Sequence, residues 1–230
     1  MEKTPRYRHE LKYQISRGEH LALRSRLRAV MKPDPHTDEN GLYCIRSIYF
    51  DNYRDKALRE KNDGAPQREK FRIRYYNDDT RHLTLEKKIK HDRLCLKCSE
   101  PLSSEDCGML LDCRQDEITA EDKPLLAELI AKMNTQLLRP RVLVSYRREP
   151  FIYAPGNVRI TFDFDVRTTM YHQKFLEADP FDLSASDSPG AMIMEVKYDD
   201  FLPQVISDLI QSEGVRQQSF SKYGACRRFG

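Results

Sequence analysis

Charged and apolar side chains alternate along much of this chain, with the period of two that is typical of half-buried β-strands. The alternation is clearest between positions 70 and 90, where it predicts two strands joined by a turn at positions 77–79. The polar face of the first strand carries Lys70, Arg72 and Arg74, opposite Phe71, Ile73 and Tyr75. The polar face of the second carries Thr84, Glu86, Lys88 and Lys90. Ordinary solvation of a charged face would explain one such hairpin.

The strand pattern recurs elsewhere, so solvation of one hairpin is not a sufficient explanation. Further strands are predicted at 6–15, 42–52, 93–98, 139–154, 158–167 and 191–198. Helices are predicted at 16–31, 53–61, 103–111, 119–136 and 199–212. Ser16 with Glu19 has the spacing of a capping box at the start of the first helix. The elements therefore predict an α+β fold, in which helices cover the apolar faces of a large sheet.

Two arrangements of that sheet remain open from the pattern alone. Outward-facing charges would make a plain α+β sandwich. Closure would make an antiparallel β-barrel with a polar, basic lumen and helices packed outside, and it would also remove exposed strand edges. The cations of the polar faces are Arg8, Lys12, Arg72, Arg74, Lys88, Lys97, Arg148, Arg159 and Lys197. The acidic residues on the same faces are Glu10, Glu86, Asp163, Asp165 and Glu195.

A lumen with so many like charges needs water or a compensating polyanion, because dry burial of each charge is costly. Arginine and lysine side chains in such a ring match phosphate oxygens, so phosphate groups are suitable anionic partners. Carboxylates beside phosphates suit a hard divalent cation that bridges them.

Composition narrows the choice of partners. The 230 residues include 39 basic and 36 acidic ones, a net charge of +3. This balance argues against a general nucleic-acid binder and favours a local basic site. No apolar run is long enough to span a bilayer and no signal peptide is visible, so we expect one cytoplasmic domain over 1–230 with six reduced cysteines. Cys95 and Cys98 form a C-x-x-C, but their spacing from Cys107 and Cys113 is atypical of zinc sites.

At these residues the chain resembles the polyphosphate polymerase (vacuolar transporter chaperone, VTC) domain of the triphosphate tunnel metalloenzyme superfamily. The matching segments begin at Arg8 (RHELKY), Ser47 (SIYFDN), Lys70 (KFRIRYY), Leu85 (LEKKIK), Arg139 (RPRVLVSYRREPF), Val158 (VRITFD), Met194 (MEVKYDDFLP) and Ser219 (SFSKYGAC). They cover nearly the whole chain in order. The resemblance implies an antiparallel tunnel in which the terminal phosphate of ATP is added to polyphosphate with Mn²⁺ or Mg²⁺.

The resemblance also implies a set of site residues. The phosphate ligands would be Lys12, Arg72, Arg74, Lys88, Lys97, Arg148, Arg159 and Lys222. Tyr146 would add a hydroxyl, Ser221 would contact the nucleotide or the chain, and Glu195 would hold the metal. Lys197 shares the face of Glu195 and joins the catalytic set, and the residues expected at the cofactor are Arg8, Glu10 and Glu86.

The first strand departs from the superfamily pattern at one position, and this difference bears on whether the chain is a polymerase or a triphosphatase. Triphosphatases of the superfamily begin with E-x-E-x-K, whereas this chain has Arg8, Glu10 and Lys12 at the corresponding positions. Activating a water needs the acidic cluster more than phosphate transfer does, so the replacement favours a polymerase. A tripolyphosphate or nucleoside-triphosphate hydrolase and a non-catalytic polyphosphate-binding module remain the alternatives. The chain shows neither the regulatory domain nor the membrane segment of eukaryotic polymerases, which leaves room for a membrane protein partner supplied in trans.

Overall fold

A computed structural model of the chain describes residues 6–92, 94–169, 171–177, 183–184, 192–211 and 214–229. The strands are β1 (Arg8–Ile15), β2 (Lys32–Pro33), β3 (Tyr43–Asp51), β4 (Gln67–Tyr76), β5 (Leu83–His91), β6 (Leu94–Leu102), β7 (Arg139–Tyr153), β8 (Val158–Thr169), β9 (Leu183–Ser184) and β10 (Met192–Tyr198). The helices are α1 (Arg17–Arg28), α2 (Lys56–Asn62), α3 (Ser104–Leu111), α4 (Pro124–Thr135), α5 (Gln204–Ile210) and α6 (Lys222–Phe229).

Eight of the strands pair in a closed antiparallel ring. Its order is β7-β3-β4-β5-β6-β1-β10-β8, and pairing of β8 with β7 completes the circle, while the short β2 and β9 extend from β7 and β8. The structure thus confirms the α+β fold with a closed antiparallel sheet, rather than the open sandwich. We call the interior of this ring the tunnel.

The polar faces of the strands point into the tunnel because helices cover the opposite faces. Outside β3, β4 and β5, the apolar residues Ile48, Ile73 and Leu85 pack in one buried cluster with Leu126 and Leu129 of α4. Each such side chain stabilises the fold by about 1.5–3 kcal/mol when it is fully buried. The helix therefore fixes which face of the hairpin is turned inward.

A second helical layer covers the opposite side of the ring. Leu23 and Leu27 of α1 and Ile206 of α5 pack on Phe162 of β8 and Val196 of β10. The predicted capping box starts α1: Ser16 accepts from the backbone of Glu19 at 3.2 Å, and the Glu19 carboxylate accepts from the backbone of Ser16 at 2.7 Å. No helix in the described part of the chain is both long and apolar enough to cross a membrane.

Several element boundaries differ from the sequence prediction. The second helix starts at Lys56 rather than at 53, and the fourth starts at Pro124 rather than at 119, with the proline in its first turn. Proline at this position costs little, since its missing N–H would have no helical partner there. The predicted strand start at Arg93 lies outside the described residues, and β6 continues to Leu102.

Two further differences from the sequence prediction affect the tunnel: the face on which Asp165 lies, and the presence of helix α6. Strict alternation predicts Asp165 on the same face as Asp163, but a bulge between Ser145 and Arg147 shifts the register of β7 on β8. Asp165 adopts a positive φ of 52° there and pairs with Arg167, on the outer face. The helix α6 was not predicted, because its short segment mixes charged residues with a glycine and has no clear apolar stripe.

Candidate functional site

Strand register brings the polar faces into rows inside the tunnel. Lys70 of β4 lies opposite Lys88 of β5, which lies opposite Lys97 of β6. On the other side of the ring, Lys12 of β1 lies opposite Glu195 of β10. The rows are continuous around the closed sheet, so residues far apart in sequence face a common space.

One cluster is organised around Glu86, which is only 2% exposed. Arg72 holds its carboxylate through Nε at 2.7 Å and Nη2 at 2.5 Å, and Lys97 holds the second oxygen at 3.1 Å. Arg74 adds a longer contact at 3.7 Å. Burial alone would raise the pKa of Glu86, but the three cations outweigh it and hold the pKa well below its usual value.

Tyrosine hydroxyls fix the arginines of this cluster. Arg72 donates to the Tyr49 hydroxyl at 2.8 Å, and Arg74 donates to the Tyr146 hydroxyl at 3.1 Å and to the Ser47 hydroxyl at 3.0 Å. Both guanidinium groups therefore keep a defined orientation without using all their donors on carboxylates, which leaves N–H groups for an oxyanion.

A second cluster surrounds Glu195, which is 5% exposed. Its carboxylate lies 3.1 Å from Lys12 Nζ, 3.2 Å from Lys222 Nζ, 3.3 Å from Lys197 Nζ and 3.7 Å from Arg148 Nη2. Burial would raise the pKa of Glu195, and the surrounding cations instead hold it well below its usual value. The carboxylate is therefore charged and serves several cations at once.

Two more carboxylates join this second cluster. Arg148 donates two hydrogen bonds to Asp163, at 2.5 and 2.7 Å, and Lys222 pairs with the same carboxylate. Glu10 accepts from Lys88 at 2.6 Å and lies 3.3 Å from Lys12. Glu10 thereby links the second cluster to the wall that carries Lys88.

The C-terminal helix α6 delivers Lys222 into the tunnel. Tyr223 donates from its hydroxyl to Asp51 at 2.6 Å, and Asp51, which is fully buried, also accepts the backbone N–H of Ala57 at 3.0 Å. The Ser221 hydroxyl accepts the backbone N–H of Gly224 at 3.1 Å and so caps the helix. These contacts anchor α6 to β3 and α2, and they set the position of Lys222.

Positive charge exceeds negative charge in the tunnel. The cations are Lys12, Lys70, Arg72, Arg74, Lys88, Lys97, Arg148, Arg159, Lys197 and Lys222. The carboxylates are Glu10, Asp34, Asp51, Glu86, Asp163 and Glu195. Such an interior is suited to bind a multiply charged oxyanion, and the carboxylates keep it stable until the anion arrives.

The donors for a metal ion are few. Within the residues that the structure describes, no three His, Cys, Asp or Glu side chains form a metal-binding group. Opposite Glu195, however, Thr161 is 1% exposed and its hydroxyl oxygen has no hydrogen-bond partner in the described structure. A carboxylate and a hydroxyl are hard oxygen donors that fit Mg²⁺ or Mn²⁺, provided that phosphate oxygens supply the other ligands.

Most of the residues predicted from sequence converge in these clusters, and three do not. Arg8 pairs with Asp199 at 2.8 Å, and Arg159 pairs with Asp34 at 2.7 Å. Both arginines lie beside the clusters rather than within them. Ser221 lies near Lys70, at 3.5 Å from its ammonium nitrogen.

The sequence analysis missed several polar residues of the tunnel. Tyr49 and Ser47 orient the arginines, and their alternation with Ile48 and Phe50 was the available signal. Lys70 was recognised as part of the polar face but was not assigned to the site. Asp51 was not recognised because its partner Tyr223 lies in the helix that was not predicted.

Comparison with known proteins identifies the family. A model described as the VTC domain matches residues 7–229. No curated protein matches the chain. Among solved structures, a candidate adenylyl cyclase from Hippeastrum, described as having a dominant triphosphatase activity, superimposes with a TM-score of 0.57 at 11% identity, covering 96% of each chain. A candidate adenylate cyclase from Bacillus halodurans gives a TM-score of 0.51 at 16% identity, covering 91% of this chain and 88% of that one.

These low identities show a shared fold and leave the activity open. The family match, by contrast, covers the strands of the ring and the helix α6 together. On that match, the chain belongs to the VTC domain family, and it has the triphosphate tunnel fold.

Proposed function

We propose that this protein is a polyphosphate polymerase that transfers the terminal phosphate of ATP to a polyphosphate chain held in the tunnel. The family match supports a function related to polyphosphate or triphosphate. The observation that carries the proposal is the excess of cations around a few buried carboxylates, since a linear polyanion is the ligand that such an interior would stabilise.

The chain would act mainly by positioning phosphates and stabilising charge. Arg72 and Arg74 would bind phosphate oxygens on one side, and Lys12, Lys222 and Arg148 would bind them on the other. Phosphoryl transfer passes through a transition state whose charge is spread over the equatorial oxygens, so fixed cations lower the barrier directly. Holding donor and acceptor in line would supply much of the remaining rate.

A divalent cation fits this proposal as a ligand shared between protein and phosphates. Glu195 would be its carboxylate ligand and Thr161 lies opposite. Mn²⁺ or Mg²⁺ would neutralise charge on the bridging phosphate oxygens during transfer. The cations that now surround Glu195 would then pair with phosphate instead, so the metal and the anion would bind together.

Hydrolysis of tripolyphosphate or nucleoside triphosphates is the second candidate, because a structure of the same fold is described as having triphosphatase activity. Against it, cations engage the buried carboxylates Glu10, Glu86, Asp163 and Glu195, so each would have to give up a cation before it could activate a water. A general base has to lie within hydrogen-bond reach of the proton it takes.

One experiment separates the candidates. Purified protein is incubated with ATP and Mn²⁺, and the products are followed by gel electrophoresis for long chains and by phosphate release. Long-chain polyphosphate supports the polymerase, and free phosphate without polymer indicates the hydrolase. Neither product, together with tight tripolyphosphate binding, would contradict an enzymatic role and leave a binding module.

A further inference from the structure

Lys70 differs from the other cations of the tunnel in its partners. Lys12, Arg72, Lys88 and Lys222 each pair with at least one carboxylate. In the described part of the chain Lys70 has no carboxylate partner. Its ammonium nitrogen lies 3.5 Å from the Ser221 hydroxyl oxygen and 4.9 Å from the centre of the Tyr223 ring.

The surroundings of Lys70 disfavour a positive charge. Burial removes water from the ammonium group, and Lys12 on β1, Lys88 on β5 and Arg68 on β4 repel it, while Asp51 on β3 attracts it more weakly. Together these lower the pKa of Lys70 to about 7. The groups of the C-terminal segment that face it, Ser221 and Tyr223, carry no negative charge at neutral pH.

A phosphate group beside Lys70 would reverse this balance. The anion would offset the repulsion from Lys12 and Lys88, and its oxygens would accept from the protonated amine. A charged ligand favours the charged form of a neighbouring lysine, so binding and protonation are linked. The proton would come from water or buffer and form one N–H bond on the Lys70 amine, and no bond of the phosphate chain would change.

We propose that Lys70 is an additional phosphate ligand, next to Ser221, that takes up one proton from solution when a phosphate chain enters the tunnel. This inference rests on the proposed function, because it requires that the tunnel binds phosphates. It goes beyond that function in assigning a role to Lys70 and in making substrate binding dependent on pH.

The lowered pKa of Lys70 determines how the affinity for tripolyphosphate should change with pH, and over which pH range. Well below pH 7 Lys70 is already mostly protonated, so binding needs little proton uptake there. Well above pH 7 the empty tunnel holds a mostly neutral Lys70, and the proton has to be added on binding. We therefore expect the affinity for tripolyphosphate to fall as the pH rises from 7 to 9.

The test is calorimetry of tripolyphosphate binding at pH 8, without metal, in two buffers of different ionisation enthalpy. The buffer dependence of the heat gives the number of protons exchanged. We compare the parent with Lys70→Arg, which keeps a cation that does not titrate in this range. Subtracting one from the other cancels protons exchanged by tripolyphosphate itself. The exposed Lys32→Arg serves as the matched control.

The parent should take up close to one proton more per tripolyphosphate than Lys70→Arg, and Lys32→Arg should match the parent. Lys70→Met should bind several-fold more weakly below pH 7, since it removes a charged ligand. Equal proton uptake in the parent and in Lys70→Arg, with both binding, would overturn the role of Lys70 and leave the proposed function intact. No binding by the folded parent would overturn the proposed function as well.

Discussion

Two walls of the tunnel face the same space with different chemistry. The first, which we call the cationic wall, is formed by β4, β5 and β6 and carries Lys70, Arg72, Arg74, Lys88 and Lys97 with Glu86 as its carboxylate. The second, which we call the mixed wall, is formed by β1, β10 and β8 and carries Lys12, Arg159 and Lys197 with Glu10, Asp163 and Glu195.

This difference in charge indicates which wall binds phosphate and which wall holds a metal ion. The excess of positive charge lies on the cationic wall, and phosphate affinity should depend on it. The mixed wall is balanced, and a balanced wall adds little net attraction for an anion. Its carboxylates are instead suited to hold a metal ion between the protein and the phosphates. Mutations on the two walls should therefore separate turnover from binding.

The largest effect is expected from the mixed wall. Glu195→Gln keeps the size of the side chain but removes its charge, so a metal ion loses its carboxylate ligand. We expect Mn²⁺-dependent turnover of ATP to fall by on the order of a hundredfold or more. Tripolyphosphate binding without metal should persist or tighten, because a repulsive carboxylate is gone.

A matched control is available outside the tunnel. Glu149 is a buried carboxylate on the outer face, where Arg24 and His20 hold it at 2.6 and 3.1 Å. Glu149→Gln should reduce stability without reducing turnover per folded molecule. Equal turnover in Glu195→Gln and the parent at matched Mn²⁺ would reduce Glu195 to a structural partner of its lysines.

A change on the cationic wall should act on binding. Arg72→Gln removes a charge-assisted phosphate ligand worth about 1.5–3 kcal/mol, which corresponds to about a ten- to hundredfold loss of tripolyphosphate affinity. Arg74 and Lys97 still hold Glu86, so that carboxylate keeps two partners. Calorimetry is the measurement, and Arg24→Gln on the outer face is the control. If folded Arg72→Gln bound tripolyphosphate as tightly as the parent, the phosphates would not be bound by Arg72.

Both walls together should make the empty protein less stable than the liganded one. A ligand that binds only the folded state stabilises it by about 2.7 kcal/mol at a hundred times its Kd, which raises the melting temperature by about 5–10 °C in a chain of this size. Scanning calorimetry with tripolyphosphate checks this. Added salt should shrink the shift by screening, and a melting temperature indifferent to the ligand at low salt would argue against a phosphate tunnel.

The smallest effect is expected at the exposed end of the cationic wall. The Lys97 side chain is 55% exposed, although it holds Glu86 at 3.1 Å. Exposed ion pairs contribute about 0–1 kcal/mol, so Lys97→Gln should change tripolyphosphate affinity by less than about fivefold. Competition binding against the parent would detect it. If Lys97→Gln lost as much tripolyphosphate affinity as Arg72→Gln, burial in the tunnel would not determine how strongly these side chains bind phosphate.

The alternation of side chains was sufficient to predict both walls. The faces of residues such as Arg72 and Lys12 followed from odd or even position in the strand, which we call parity. In a regularly pleated strand, successive side chains must point to opposite faces. The helices packed outside followed from their apolar stripes. The family resemblance then selected the closed ring over the open sandwich, a choice that parity leaves undecided.

What parity could not predict depends on irregular backbone and on long-range contacts. Asp165 leaves the tunnel because of a bulge, and its sequence gives no sign of the left-handed backbone that it adopts. Ion pairing of Glu86 and Glu195 with several cations depends on distances across the ring. The lowered pKa of Lys70 depends on its burial inside the closed ring and on Lys12 and Lys88, which belong to other strands.

The most direct test of the two-wall account is a crystal structure of the protein with tripolyphosphate and Mn²⁺. The account expects the phosphate chain inside the ring, with Arg72 and Arg74 on one side and Lys12 and Lys222 on the other, and with Mn²⁺ between Glu195 and the phosphates. Tripolyphosphate bound on the outer surface, with the pairs around Glu86 and Glu195 unchanged, would contradict it.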